Sequence, residues 1–326
     1  MEKSLNISEL EAAQTTVRDV SVRAGLAFSL DMTKKMTLLE VLQSTTAYFT
    51  NHKIENPRLN AEQLLAHTLR LSRMDLYLEF ERNLAENELG PLRDLVKRRG
   101  QGEPLQHLLG TVEFCGHTFA IDKRAMVPRP ETEELVELLK SEVSLRPGGA
   151  YAPVGSQRSD FRMIDVGTGS GVIALSLAAK FPEAEIYAID ISEDALSLAR
   201  ENAAQLRLSE RVRFQKSDLL ENVSERFDLI VANLPYISMQ DRHLLAREVL
   251  HDPEVALFGG PSGDELVRKL IEQAPAHLEP GGLLALEIGL GQAEGFSDFL
   301  RQKNYHDIEL KKDYSGISRF LLARYG

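Results

Sequence analysis

One stretch limits what this chain can fold into more than any other: Met163-Ile164-Asp165-Val166-Gly167-Thr168-Gly169-Ser170-Gly171. An apolar run of buried-strand character ends in glycines at alternate positions, and a helix pattern opens at once over residues 172–179. A second strand pattern, Glu185-Ile186-Tyr187-Ala188-Ile189, then delivers Asp190. In that order these pieces make a nucleoside-binding βαβ unit. The glycines let a ligand approach the backbone, and an acid ending the second strand accepts from ribose hydroxyls.

Glycine spacing narrows the ligand. A dinucleotide fingerprint needs a third glycine where this chain has Val172, and the lysine of a phosphate-binding loop is missing. Gly167, Gly169 and Gly171, with Thr168 and Ser170 between them, suit a nucleoside whose tail is an amino acid, such as S-adenosylmethionine. The helix start after the turn would face its carboxylate. Asp190 would take both ribose hydroxyls. Ser217-Asp218-Leu219, after a third strand pattern, would set Asp218 near the adenine amino group and Leu219 near the ring.

A further strand pattern, Phe227-Asp228-Leu229-Ile230-Val231-Ala232, ends in Asn233-Leu234-Pro235-Tyr236. Methyl transfer from a sulfonium is an in-line displacement, which needs the nucleophile about 3 Å from the methyl. An amide or aromatic amine nitrogen is a poor nucleophile because its lone pair is delocalised, and its N–H is too weakly acidic for a base to help. Two acceptors for its N–H bonds orient the lone pair and stabilise the developing positive charge. The Asn233 side-chain oxygen and the Leu234 carbonyl can be that pair, with Pro235 stiffening the turn and Tyr236 offering a ring to the planar group. Taken alone, the tetrapeptide also reads as a proline turn at a strand end, and Asp190 as a helix cap.

The rest of the chain supplies the setting. Its 326 residues suffice for about two domains. A net charge of −11 argues against broad nucleic-acid binding. The single cysteine, Cys115, excludes an intrachain disulfide and fits a reducing, cytoplasmic compartment. No apolar run approaches a membrane span. Residues 1–35 carry Glu2, Glu9, Glu11 and Asp19, unlike a targeting peptide, and are read as an N-terminal extension, with Met32 or Met36 as alternative starts.

Residues 36–105 read as a helical recognition domain. Thr37-Leu38-Leu39-Glu40 is a capping box, Asn56-Pro57 an N-cap with proline at the first helical position, and Lys97-Arg98-Arg99 a basic helix end on a solvated face. Residues 106–127 read as a β-hairpin connector turning at Cys115-Gly116. His107 and His117 lack companions at metal-ligand spacing, so no metal is expected. From 128 to 326 strand and helix alternate, as in an α/β domain. Pro128-Arg129-Pro130-Glu131-Thr132-Glu133 starts a helix, and residues 147–159 are a Gly/Pro/Ser-rich surface loop. Strands are expected near 162–166, 185–190, 211–216, 227–232 and 282–288, with an antiparallel pair near 305–311 and 317–324.

These motifs resemble the HemK/PrmC family, the protein-(glutamine-N5) methyltransferases of peptide chain release factors. The resemblance runs over residues 37–326. It rests on Pro57-Arg58-Leu59-Asn60-Ala61-Glu62, Glu113-Phe114, the 128–133 stretch, the 165–171 turn, the tetrapeptide, residues 248–260, Pro280-Gly281-Gly282 and Glu287-Ile288-Gly289. It implies a class I S-adenosylmethionine-dependent methyltransferase: Rossmann-like, with a mostly parallel seven-stranded sheet and a small N-terminal helical domain. It also implies the glutamine of the Gly-Gly-Gln tip of class I release factors as substrate, N5-methylglutamine and S-adenosylhomocysteine as products, and no membrane or direct nucleic-acid partner. Cofactor contacts carry over to residues 167–171, Asp190, Leu219 and Asn233, and glutamine contacts to Asn233, Leu234, Pro235 and Tyr236, with Phe114 on the substrate side. Leu234 stands where the family usually has proline, which implies a less rigid loop. A DNA adenine or RNA amino-methyltransferase, a methyltransferase of a ribosomal-protein glutamine, and a noncatalytic nucleoside-binding factor are the rival readings.

Overall fold

The computed structural model describes residues 36–144 and 161–326, so the extension at 1–35 and the loop at 147–159 lie outside the described residues. Two compact units divide between Gly100 and Gln101. No helix among the described residues is long and apolar enough to cross a membrane.

The first unit is helical: α1 Leu38–Asn51, α2 Pro57–Leu69, α3 Arg73–Leu78 and α4 Glu86–Gly100. The capping box forms at α1, where Glu40 N–H donates to Thr37 Oγ1 (3.3 Å) and Thr37 N–H to Glu40 Oε2 (2.8 Å). Asn56 departs from expectation. It is left-handed (φ 48°) and its side chain caps nothing. Asn60, one turn on, takes up the loose carbonyls of Glu55 and Asn56 with its Nδ2. The Asn60 oxygen in turn accepts from Arg99 Nε at 2.7 Å. The basic helix end is therefore only partly a solvated face: Lys97 is exposed, but Arg99 is buried against α2. Burial pushes the Glu62 carboxyl up, yet hydrogen bonds from Tyr77, Arg73 and Arg58 outweigh it and hold the group at about 2.

The second unit opens with α5 (Leu105–Leu109) and the hairpin β1 (Thr111–Phe114) and β2 (His117–Ala120), followed by α6 (Pro130–Ser144). The chain then alternates β3 (Arg162–Val166), α7 (Val172–Lys180), β4 (Glu185–Asp190), α8 (Glu193–Gln205), β5 (Val212–Lys216) and β6 (Phe227–Asn233). Next come β7 (Ile237–Ser238), β8 (Phe258–Gly260), α9 (Glu265–His277), β9 (Leu278–Glu287), α10 (Ala293–Gln302), β10 (Tyr305–Lys312) and β11 (Ser318–Tyr325). Seven strands form one sheet in the order β10-β11-β9-β6-β3-β4-β5. Only β11 runs against the rest, being antiparallel to both of its neighbours.

Central strands buried on both faces read as continuous apolar runs because each face has its own core. Met163, Leu229 and Val231 face α6 and α7, whereas Ile164, Ile230 and Ala232 face α9 and α10. The hairpin is no free connector. Phe114 and Phe119 pack edge to face inside the first of these cores. Asn202 of α8 accepts from Ala120 N–H (2.7 Å) and donates to the carbonyls of Ala120 (3.1 Å) and Ser170 (2.9 Å). One buried amide thus ties hairpin, helix and glycine turn together. Asn202→Ala leaves three backbone groups without partners and is expected to cost about 2 kcal/mol or more in urea denaturation. A loss below about 0.5 kcal/mol would show that the amide ties nothing.

Candidate active site

The chain leaves β3 for β4 on one side and returns to β6 on the other, so the crevice at the carboxyl ends of β3 and β6 is a topological switch point. A cavity of about 230 Å³ lies there. A single water needs roughly 10–15 Å³ on the same measure, so the cavity has room for a small molecule.

The glycine turn forms one wall. Gly167, Gly169 and Gly171 all have positive φ (76°, 56° and 85°), which only glycine adopts freely. A Cβ on Gly167 would lie 2.9 Å from Leu234 Cδ2, so the turn and the tetrapeptide touch. Beneath the turn, Asp165 Oδ2 accepts from Thr168 Oγ1 (2.6 Å) and Ala174 N–H (3.2 Å), while Oδ1 has no partner. Burial pushes the Asp165 carboxyl up to about 7.

Asp190 lines the cavity from the end of β4. Its two oxygens accept from Gly169 N–H (2.9 Å) and Ser192 N–H (2.8 Å). A carboxylate has about four acceptor sites, more than these backbone donors fill, so capacity remains for a ligand hydroxyl. Burial raises the Asp190 pKa against those backbone donors. Asp218 and Leu219 also line the cavity, with Asp218 half-exposed and paired to Lys269 Nζ at 3.2 Å. The Asp190 pair for the ribose, the positive-φ turn and the apolar Leu219 wall fit S-adenosylmethionine.

Asn233, Leu234 and Pro235 form the adjoining wall. Tyr236 is not among the lining residues, and its ring lies against Gly289. Asn233 Nδ2 donates to Thr132 Oγ1 (3.0 Å), which donates to Glu287 Oε2 (2.8 Å). With its NH₂ tethered, Asn233 has its oxygen free to accept. Burial pushes Glu287 up to about 7.

The backbone of the turn after β6 is closely packed. A Cβ on Gly259 would lie 2.3 Å from the Pro235 carbonyl oxygen, and one on Gly263 2.6 Å from that of Tyr236. Gln292 Nε2 donates to the carbonyls of Tyr236 (3.3 Å) and Gly263 (3.1 Å). Between β7 and β8, a run of 3₁₀ turns brings Pro253, Val255 and Ala256 to the cavity. Buried Asp252 anchors it by accepting from Val127 N–H (3.2 Å) and Arg129 Nη2 (3.1 Å).

Phe114 is a correction. Its ring is 1% exposed in the core and absent from the cavity wall, because its strand alternation points it inward against Phe119. Thr132, Glu287 and Gln292 were not foreseen as site residues. Thr132 and Glu287 stood within noticed motifs, but no local signal gave them roles.

Residues 40–110 match the PrmC N-terminal domain family and residues 157–287 a methyltransferase domain family. Three release factor glutamine methyltransferases are similar over nearly their whole length. That of Chlorobaculum tepidum is 38% identical (88% of this chain, 97% of the relative). Those of Geobacter sulfurreducens (38%; 89% and 97%) and Deinococcus radiodurans (39%; 89% and 99%) follow the same pattern. The chain belongs to the release factor glutamine methyltransferase family. It is an S-adenosylmethionine-dependent methyltransferase with the class I fold and a helical N-terminal region.

Two expectations follow for this family member. Asp190→Ala removes the brace on the glycine turn and the carboxylate expected to accept from the ribose hydroxyls. Cofactor affinity measured by calorimetry should fall at least about tenfold, the worth of one good charged hydrogen bond; unchanged affinity would remove Asp190 from the site. Asp165 binds its proton more tightly folded than unfolded, so its contribution to stability is lost as pH climbs from about 4 to about 7. Asp165→Asn should therefore show a smaller fall in thermal midpoint over that range than the parent. An identical fall would place the titration elsewhere.

Proposed function

We propose that this enzyme methylates the side-chain amide nitrogen (N5) of the glutamine in the Gly-Gly-Gln tip of class I peptide chain release factors, and so modulates translation termination in the cytoplasm. The observation that carries the reading is the tethered Asn233 beside the glycine turn: its NH₂ is occupied by Thr132, and its oxygen is left as an acceptor. The names of the relatives support the substrate class.

Bound S-adenosylmethionine supplies an electrophilic methyl group. Asn233 Oδ1 and the Leu234 carbonyl accept the two N–H bonds of the glutamine amide and turn its lone pair toward the glycine turn. As positive charge grows on nitrogen, these oxygen dipoles stabilise it. No side-chain base is required, because an N-alkylated amide cation is a strong acid that gives its proton to water. The Leu234 side chain, packed on Gly167, holds the carbonyl that the usual proline would hold. The helical unit that opens the chain carries recognition of the release factor's body.

The test is mass spectrometry of a release-factor tryptic peptide after incubation with enzyme and cofactor, beside parallel arms with ribosomal protein and with nucleic acid under radiolabelled cofactor. Methylation of the Gly-Gly-Gln glutamine alone is the expected result; label in nucleic acid or ribosomal protein instead would overturn it. Asn233→Ala should lower turnover by about a hundredfold or more while cofactor affinity stays within about threefold. Parallel loss of both would contradict the acceptor role.

A further inference from the structure

Asn233 can serve an amide nitrogen in only one orientation. Its side chain has one acceptor end and one double-donor end, and a substrate nitrogen offers only N–H. The oxygen must face the cavity, and something must hold the NH₂ away from it. The structure supplies a two-step tether: Asn233 Nδ2 to Thr132 Oγ1 at 3.0 Å, then Thr132 Oγ1 to Glu287 Oε2 at 2.8 Å. Thr132 and Glu287 are 2% and 1% exposed, so bulk water does not compete for these bonds.

The direction of the chain follows from proton counting. A threonine hydroxyl has one proton. Spent on a carboxylate, it leaves Oγ1 able only to accept, and the partner that can donate is the Asn233 NH₂. We propose that Thr132 and Glu287 are positioning residues whose hydrogen-bonded relay, directed by the Glu287 carboxylate, sets which end of the Asn233 amide meets the substrate nitrogen. This rests on the reading of Asn233 as an acceptor for the glutamine amide.

Protonation of Glu287 reverses the relay. The carboxylic acid donates to Thr132 Oγ1, and the freed hydroxyl proton points to Asn233 Oδ1. The amide then turns, and its NH₂ faces a nitrogen that cannot accept from it. The groups around Glu287 put this step within ordinary pH. Burial raises its pKa to about 7, with Glu131 on α6 adding to the rise. The Thr132 and Asn233 hydrogen bonds and Arg319 on β11 oppose it. Tyr236, which also feels Arg129, completes the charged and titratable surroundings.

Turnover on a class I release factor at saturating cofactor is measured against pH, together with the side-chain amide signal of Asn233 in protein labelled with ¹⁵N-asparagine and free of substrate. The signal is assigned by its loss in Asn233→Ala. In the parent, turnover should rise through pH about 7 and the amide signal should shift with the same midpoint. Thr132→Val, which keeps shape and removes the hydroxyl, should lower kcat about tenfold to a hundredfold with cofactor affinity unchanged, and should shrink the shift of the amide signal to the part that the direct Asn233–Glu287 contact produces. Thr132→Ser should restore both. Glu287→Gln keeps an acceptor for Thr132 and should flatten both pH profiles near neutrality. A Thr132→Val enzyme with parental kcat, or a Glu287→Gln enzyme that keeps the inflection, as titration of Asp165 would produce, overturns the relay. If the parent methylates no release factor, the substrate reading fails by itself, and the amide signal still decides the relay.

Discussion

The contact on which the site depends is the approach of Gly167 to Leu234. Parallel pairing aligns Val166 of β3 with Ala232 of β6, so the residues that follow, the glycine turn and Asn233, leave the sheet side by side. A Cβ at position 167 would come within 2.9 Å of Leu234 Cδ2 and would also strain a backbone held at a φ of 76°. A displacement reaction needs its two centres within about 3 Å, and a misplacement of about 1 Å can cost a hundredfold in rate. Glycine at 167 thus meets a conformational demand at the point where the two turns lie closest.

The other unusual features serve to keep that distance. Asp190 bridges the glycine turn and the start of α8, so the proposed ribose site and the turn cannot move independently. Gly259, Gly263 and Gln292 press on the backbone of Pro235 and Tyr236 from the far side. These contacts hold the backbone just beyond the leucine at 234. Holding polar groups this tightly costs stability. Asp165, Glu287 and Asp252 are all buried carboxyl groups pushed up by desolvation, and all lie in or directly behind the cavity wall. Such perturbed groups concentrate where a fold serves chemistry rather than its own stability.

What could be read from the sequence was what depends on near neighbours. The strands of the sheet, the capping box at Thr37 and the hairpin at Cys115-Gly116 each show in a few consecutive residues, and each is present in the structure. The glycine turn, Asp190 and residues 233–235 were legible because spacing along one chain segment places them. Partners far apart in sequence were not. Thr132 and Glu287 are separated by 155 residues, and Ala120 and Asn202 by 82, so only the folded sheet reveals that they meet. Phe114 was misplaced because its motif says nothing about which face of a short strand turns inward. Asn56 failed as a side-chain cap because its left-handed backbone, unlike the extended one of a capping residue, gives its side chain no hydrogen bond to the first-turn N–H groups. The 3₁₀ run between β7 and β8 has no periodicity to read, and it is fixed instead by the distant Asp252 contacts.

The most direct test of the two-acceptor arrangement is a crystal structure of the enzyme with S-adenosylhomocysteine and a release factor whose glutamine occupies the cavity. The glutamine N5 is expected within about 3 Å of both Asn233 Oδ1 and the Leu234 carbonyl oxygen, with the Asn233 NH₂ still on Thr132. A glutamine held by other groups, or an Asn233 side chain turned away from the glycine turn, would contradict it.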